Sequence, residues 1–241
     1  MIAFPNSKII AFEGMDNCFK ETNAKAFVKH LSYEYPFGLI NFQSFPRYDE
    51  YSSIMIKKYL NGEFNREVLQ HDPEVIKSFF MNDRLAYWKD YNEYSRKSNL
   101  ETYLDKSSFS CFVFDRYNIS NVFYNNKTIK VSSFEEEKQY GIPNPDIVVC
   151  LMYKDFNLYI NELQKKKDRD MNEKDKDMLY HIWKLMKDIN TQKAMRGADL
   201  RPVFVYCDDK EGNIKSKEKI ESEIWKRVTA ILNNMMKAEL Y

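Results

Sequence analysis

Residues 9–22, IIAFEGMDNCFKET, carry a short apolar run straight into a near-match to the phosphate-cradling pattern G-x-x-x-x-G-K-[ST]. Gly14 opens the pattern and Lys20 occupies the lysine place. Phe19 stands where the second glycine belongs and Glu21 where Ser or Thr belongs, with Thr22 one step later. In such a loop successive backbone N–H groups surround an anionic phosphate, a helix N-terminus adds its dipole, and the lysine reaches the outer phosphates. Ala24, Phe27, Val28 and Leu31 follow at i, i+3, i+4 and i+7, the spacing of a helix with one buried face. Strand, loop, lysine and helix therefore stand in order. The two departures leave an ordinary strand-to-helix turn as the other reading of this stretch taken alone.

Working outward, five continuous apolar runs read as strands buried on both faces: 8–12, 38–42, 110–114, 146–151 and 202–206. Helical patterns lie between them. Asp72 and Pro73 make an N-cap and first-turn proline before Val75, Ile76, Phe79 and Phe80. Met178, Ile182, Leu185, Met186 and Ile189 stripe a helix expected over 173–190, and Ile220, Ile224, Val228, Ile231, Leu232 and Met235 stripe a last one. The alternation predicts an α/β fold: a five-stranded parallel sheet between helical layers, with ligands bound outside the carboxyl ends of the strands. No repeat, low-complexity tract or linker divides the chain, so one domain over 1–241 is expected.

The chain has 241 residues, 44% of them hydrophobic and 30% charged, with a net charge of +1, so no basic excess points to nucleic acid. Cys18, Cys111, Cys150 and Cys207 are far apart and form no C-x-x-C pair, which argues against a metal site or disulfide frame. The absence of a spanning apolar run and of a signal-like N-terminus leads to the expectation of a cytoplasmic protein with no membrane partner. Of the two polar stretches, 208–219 reads as a solvated connection, whereas 164–177 (QKKKDRDMNEKDKD) calls for a separate reading.

Polar residues just after the strands share a chemistry. Glu13, Asp16 and Lys20 follow the first strand, Arg47 the second, Asp115 and Arg116 the third. Lys20, Arg47 and Arg116 are expected to converge on one cleft suited to a polyanion such as two facing phosphate chains. Asp115, ending a buried strand beside the loop, is placed to hold Mg²⁺ or its water.

FEGMD (12–16), SFPRYD (44–49), NDR (82–84), FDRYNISNVFY (114–124) and GIPNPDIVVCL (141–151) together resemble the motif set of the thymidylate kinases, in order and at compatible spacing. The resemblance implies a P-loop NTPase-like fold and transfer of the γ-phosphoryl of ATP, with Mg²⁺, to dTMP or a related pyrimidine monophosphate. It implies that Gly14, Lys20 and Thr22 hold the donor phosphates, and that Asp16 joins Asp115 as a metal candidate. The acceptor would be held by Asp16, Arg47, Tyr48, Phe80, Arg84, Arg116, Asn121, Tyr124, Asp170 and Glu173. Within that set Arg47 grips the acceptor phosphate with Tyr48 beside it, Phe80 stacks the base, Arg84 suits the base edge and the phosphate, and Asn121 bonds the base. Tyr124 crowds the sugar 2′ position. Arg116 bridges the two phosphate groups in the transition state. Segment 164–177 resembles the family's lid, with Lys165, Lys166, Lys167 and Arg169 supplying charge and Arg169 the residue expected to move onto the transferring group. A homodimer is implied by resemblance alone.

Phe19 and Glu21 depart from the family. Phe19 brings a Cβ to a position of unusual backbone angle, at about 1–3 kcal/mol if the conformation is kept. Glu21 repels phosphate unless it turns away. These departures keep open the alternative of a non-catalytic dNMP-binding relative that has lost the donor site.

Overall fold

A computed structural model describes residues 7–36, 38–64, 73–98 and 109–238. Strands β1 (Lys8–Gly14), β2 (Leu39–Ser44), β3 (Ser110–Asp115), β4 (Ile147–Met152) and β5 (Arg201–Tyr206) form one all-parallel sheet in the order β2-β3-β1-β4-β5. All five apolar runs read from the sequence are strands, with ends shifted by at most two residues. The helices are α1 (Lys20–Glu34), α2 (Ile54–Leu60), α3 (Pro73–Lys97), α4 (Asn118–Asn125), α5 (Phe156–Gln164), α6 (Met171–Lys174), α7 (Lys176–Lys187), α8 (Ile189–Gly197) and α9 (Lys217–Ala238).

The strands read as unbroken apolar runs because the sheet is covered on both sides. Successive side chains alternate between faces. Ile10, Phe12, Cys111 and Val113 join a core containing Phe27 and Leu31 of α1 and Ile224 and Val228 of α9. Their neighbours Ile9, Ala11, Phe112 and Phe114 pack against Trp88 and Tyr91 of α3 and against Tyr117. Trp88 Nε1 donates to the Tyr117 hydroxyl at 2.7 Å, and that hydroxyl donates to the Pro143 carbonyl at 3.0 Å. Helix α3 is thereby fastened to the segment leaving β3, and this sets where the side chains of its first half project.

Three expectations change. The helix anticipated over 173–190 is interrupted at Asp175 and Asp188. Their carboxylates accept from Met178 N at 3.0 Å and Asn190 N at 3.2 Å, making them the N-caps of α7 and α8. A short acidic side chain satisfies free N–H groups better than it serves a helix interior. Ile189, placed in the buried stripe, is exposed as a result. The connection 208–219 begins with a buried residue: Asp208 accepts from the backbone N–H of Lys154 at 2.8 Å and of Asp155 at 3.3 Å, tying β5 to the end of β4. Asp72 lies outside the described residues, and Val75 on the expected buried stripe is exposed. All four cysteines are free and buried, and among the described residues no helix is long and apolar enough to cross a membrane.

Candidate functional site

Because β1, β3 and β2 are neighbours, the segments leaving their carboxyl ends meet. At the end of β1, Gly14 has φ +138°, and a Cβ there would fall 1.9 Å from the Leu151 carbonyl oxygen, so only glycine fits. The loop then passes through left-handed backbone at Asn17 and Phe19, both at φ 57°. Phe19 thus holds the angle a glycine would adopt freely, at about 1–2 kcal/mol, and its side chain stays 41% exposed. Lys20 opens α1 with its ammonium buried. It donates to the Met15 carbonyl at 2.6 Å and lies 3.9 Å from Asp16 Oδ1. Glu21 pairs with Lys25 at 2.5 Å on the exposed face of α1, close enough for its charge to act on Asp115, and Thr22 is exposed on the first turn.

After β3 the chain turns through Arg116 at φ +59°, with Arg116 N bonded to the Phe12 carbonyl at 2.9 Å. Fully buried Glu13 keeps this turn in place. Its carboxylate accepts from Tyr117 N at 2.8 Å, Ser120 N at 3.2 Å and Ser120 Oγ at 2.5 Å, closing the start of α4. Burial raises the Glu13 pKa despite these bonds. The Arg116 guanidinium is paired with Asp16 Oδ1 and lies 5.9 Å from the Tyr124 ring centre, while the Tyr124 hydroxyl donates to Asp16 Oδ2 at 2.9 Å. Both Asp16 oxygens are therefore engaged. Asp115 differs: Oδ2 accepts from Ser44 Oγ at 2.6 Å, but Oδ1 is buried with no hydrogen-bond partner, and desolvation raises its pKa against the opposing pull of Lys20.

After β2, Arg47 takes a course the sequence reading did not anticipate. Its Nε donates to Asp83 Oδ1 at 3.3 Å, Nη1 to Asp90 Oδ2 at 3.2 Å and Nη2 to Ser52 Oγ at 3.2 Å, and its backbone N–H bonds Asp83 Oδ2 at 2.8 Å. It is buried against α3 and does not line the cavity described next. Of the three cations expected to converge, only Arg116 lines that cavity; Lys20 touches it through Asp16.

The cavity, with about 200 Å³ open to water, lies among the segments after β1, β2 and β3, the first half of α3, α4 and α6. Of the ten residues expected to hold the acceptor, all but Arg47 line it. Phe80 presents its ring there and meets Tyr59 edge-on at 6.2 Å. Arg84 and Asn121 are almost wholly buried in its wall. Tyr48 stands at the mouth, its phenol pushed up to about 12 by desolvation and by Asp170, Glu173 and Asp83. The polar stretch 164–177 supplies another side. Asp170 and Glu173 form a reciprocal cap on α6, with Asp170 Oδ1 accepting from Glu173 N at 2.9 Å and Glu173 Oε2 from Asp170 N at 3.1 Å. Lys166 Nζ reaches Glu173 Oε1 at 2.6 Å, and the Tyr59 hydroxyl donates to Asn172 Oδ1 at 3.0 Å. Lys166 lines the cavity; Arg169, half-buried, does not.

No protein-family model and no curated protein matches the chain. Among solved structures it is similar to thymidylate kinase from Ehrlichia chaffeensis, with a TM-score of 0.58 and 16% identity over 93% of this chain and 100% of that one. It is also similar to thymidylate kinase from Candida albicans, with a TM-score of 0.59 and 17% identity over 95% of this chain and 93% of that one. This chain has the thymidylate kinase fold. In it the loop of Gly14 and Lys20 leaves the central strand β1, and Asp16 of that loop lines the cavity.

Sequence reading missed several residues that shape this site. In the sequence Glu13 is simply a polar residue after a strand, and no periodic pattern singles out Asp83, Tyr59 or Glu137. Asp83 sits inside the quoted NDR motif, which was the available signal. Glu137 is one of three consecutive glutamates, and nothing in that run separates it from its neighbours.

Proposed function

We propose that the chain is a nucleoside monophosphate kinase that transfers the γ-phosphoryl group of ATP to a deoxypyrimidine nucleoside monophosphate, dTMP foremost. One observation carries the reading. A cavity with an aromatic face at Phe80, hydrogen-bonding groups at Arg84 and Asn121 and cations at Arg116 and Lys166 shares Asp16 with the loop that holds Lys20, 3.9 Å away. Phosphoryl transfer asks little covalent chemistry of a protein; it asks for two substrates in line and for charge to offset the phosphates. Phe80 would stack the base and Arg84 and Asn121 meet its edge. Tyr124, fixed by its bond to Asp16, would crowd a ribose 2′-hydroxyl. Arg116, set by the Glu13-braced turn, would lie between acceptor phosphate and transferring group. Lys20 would exchange the Met15 carbonyl for donor phosphate oxygens, and Lys166 and Arg169 would add charge from the 164–177 segment.

Among the described residues no cluster of three or more His, Cys, Asp or Glu is arranged to hold a metal alone. Mg²⁺ takes most of its ligands from water and phosphate, so one or two carboxylates suffice. The unpartnered Oδ1 of Asp115 fits that role, and Asp16 would have to release Arg116 or Tyr124 to share it. When bound, Mg²⁺ would neutralise charge on the donor phosphates.

A second reading, a dNMP-binding protein without a working donor site, draws on Phe19 and Glu21 in the loop beside a cavity lined by nine of the ten residues expected to hold the acceptor. Incubation with ATP, Mg²⁺ and dTMP, followed by chromatography for dTDP, separates the two. Turnover that falls by about 10²-fold or more in Lys20→Ala, with dTMP affinity by calorimetry nearly unchanged, supports the kinase. Binding of dTMP without ATP binding at millimolar concentration would leave only the second reading.

A further inference from the structure

Glu137 does not line the cavity, yet it holds both groups that would meet the base. Its Oε2 accepts from Arg84 Nε at 2.8 Å, and its Oε1 accepts from Arg84 Nη2 at 2.5 Å and from Asn121 Nδ2 at 2.8 Å. The second hydrogen of Asn121 Nδ2 goes to the Lys77 carbonyl at 3.1 Å. Both partners of that amide nitrogen are pure acceptors, so the amide has one orientation, and Oδ1 is what Asn121 has left to offer. Arg84 keeps three N–H groups, two on Nη1 and one on Nη2, so it can offer only donors. Arg84, Asn121 and Glu137 are all almost wholly buried, where an unmatched polar atom is costly.

We propose that Glu137 is a positioning residue that sets base selectivity by holding Arg84 as donor and Asn121 as acceptor. This inference rests on the nucleoside monophosphate reading of the cavity. A pyrimidine with a 4-keto group and an N3–H, the uracil and thymine class, offers an acceptor beside a donor and complements that pair. Cytosine offers a 4-amino donor beside an N3 acceptor and meets donor with donor and acceptor with acceptor. Two reversed hydrogen bonds of this kind discriminate by about tenfold or more. Glu137 also balances the Arg84 charge, which suits that guanidinium to a neutral base edge more than to a phosphate. A glutamine at the same position would offer one acceptor and one donor, so the Asn121 amide could turn over and the reading frame of the pocket would be lost.

The test is calorimetric binding of dTMP, dUMP and dCMP to the full chain, wild type, Glu137→Gln and Glu137→Asp, with thermal melts of each. The wild type is expected to bind dTMP and dUMP at least about tenfold more tightly than dCMP. In Glu137→Gln the dTMP-to-dCMP ratio should fall to within about threefold, with Glu137→Asp in between, since a shorter carboxylate keeps the charge but reaches fewer partners. Loss of packing alone weakens all three ligands together and leaves the ratio as it was. An unchanged ratio in Glu137→Gln, or in Glu137→Asp where the glutamine variant does not fold, overturns the inference. Equal wild-type affinity for dTMP and dCMP also overturns it, with the kinase reading intact; a wild type that binds no monophosphate overturns the kinase reading itself.

Discussion

Around the cavity many polar groups are held by another: Arg84 by Glu137, Asn121 by Glu137 and Lys77, Asp16 by Arg116 and Tyr124, Asp170 by Glu173. In the loop from Gly14 to Lys20, by contrast, a phenylalanine stands in left-handed conformation and the lysine bonds the loop's own Met15 carbonyl. The contrast teaches that a left-handed turn between strand and helix does not require a glycine at every such position. The course of the chain is set by the strand, by Gly14 and by α1, and one position can carry strain of about 1–2 kcal/mol where a glycine would carry none.

The largest expected effect tests whether Arg47 belongs to the cavity or to the packing beneath it. Arg47 belongs to the cavity by sequence, but its guanidinium joins β2 to α3. Arg47→Ala leaves buried Asp83 without its cation and should destabilise the fold by about 3–5 kcal/mol in urea titrations. Affinity for dTMP per folded molecule should change far less. A stable variant that binds dTMP much more weakly would return Arg47 to the ligand. Next comes the loop from Gly14 to Lys20. Phe19→Gly relieves the left-handed strain and should gain about 1 kcal/mol, a melting shift of about 2–4 °C upward, with tighter ATP binding. A lower melting temperature would mean that the exposed ring contributes more than its conformation loses.

The smallest effect concerns Glu13, which braces the turn between the two regions. Its folded pKa is raised by burial, so the folded state binds its proton more readily and stability drains away as pH rises above the unfolded value of about 4.5. Glu13→Gln lacks this titration. Its melting temperature relative to wild type should therefore become more favourable from pH 4 to pH 8. A difference that is flat across that range would mean that Glu13 titrates alike in folded and unfolded chains.

The strands were legible because a sheet covered on both faces needs apolar residues at every position, and Ile9 and Ile10, or Val113 and Phe114, show this without further context. Phe80, Arg84, Asn121 and Tyr124 were legible as a set through resemblance, and the cavity gathers them. The helix breaks at Asp175 and Asp188 were not. A stripe at helical spacing continues through a cap, and the choice between helix interior and N-cap depends on which way the chain must turn.

By itself the sequence determined the parallel sheet, the loop after its central strand and most of the residues around the cavity, since burial on two faces and local motif chemistry are properties of neighbours along the chain. Only the tertiary structure decided what the charges do. Arg47 is neutralised by aspartates 36 and 43 residues away, and Arg84 by a glutamate 53 residues away. Which ion meets which depends on how helices and loops pack over the sheet, because electrostatic pairing acts through space and leaves no periodic trace in the order of residues.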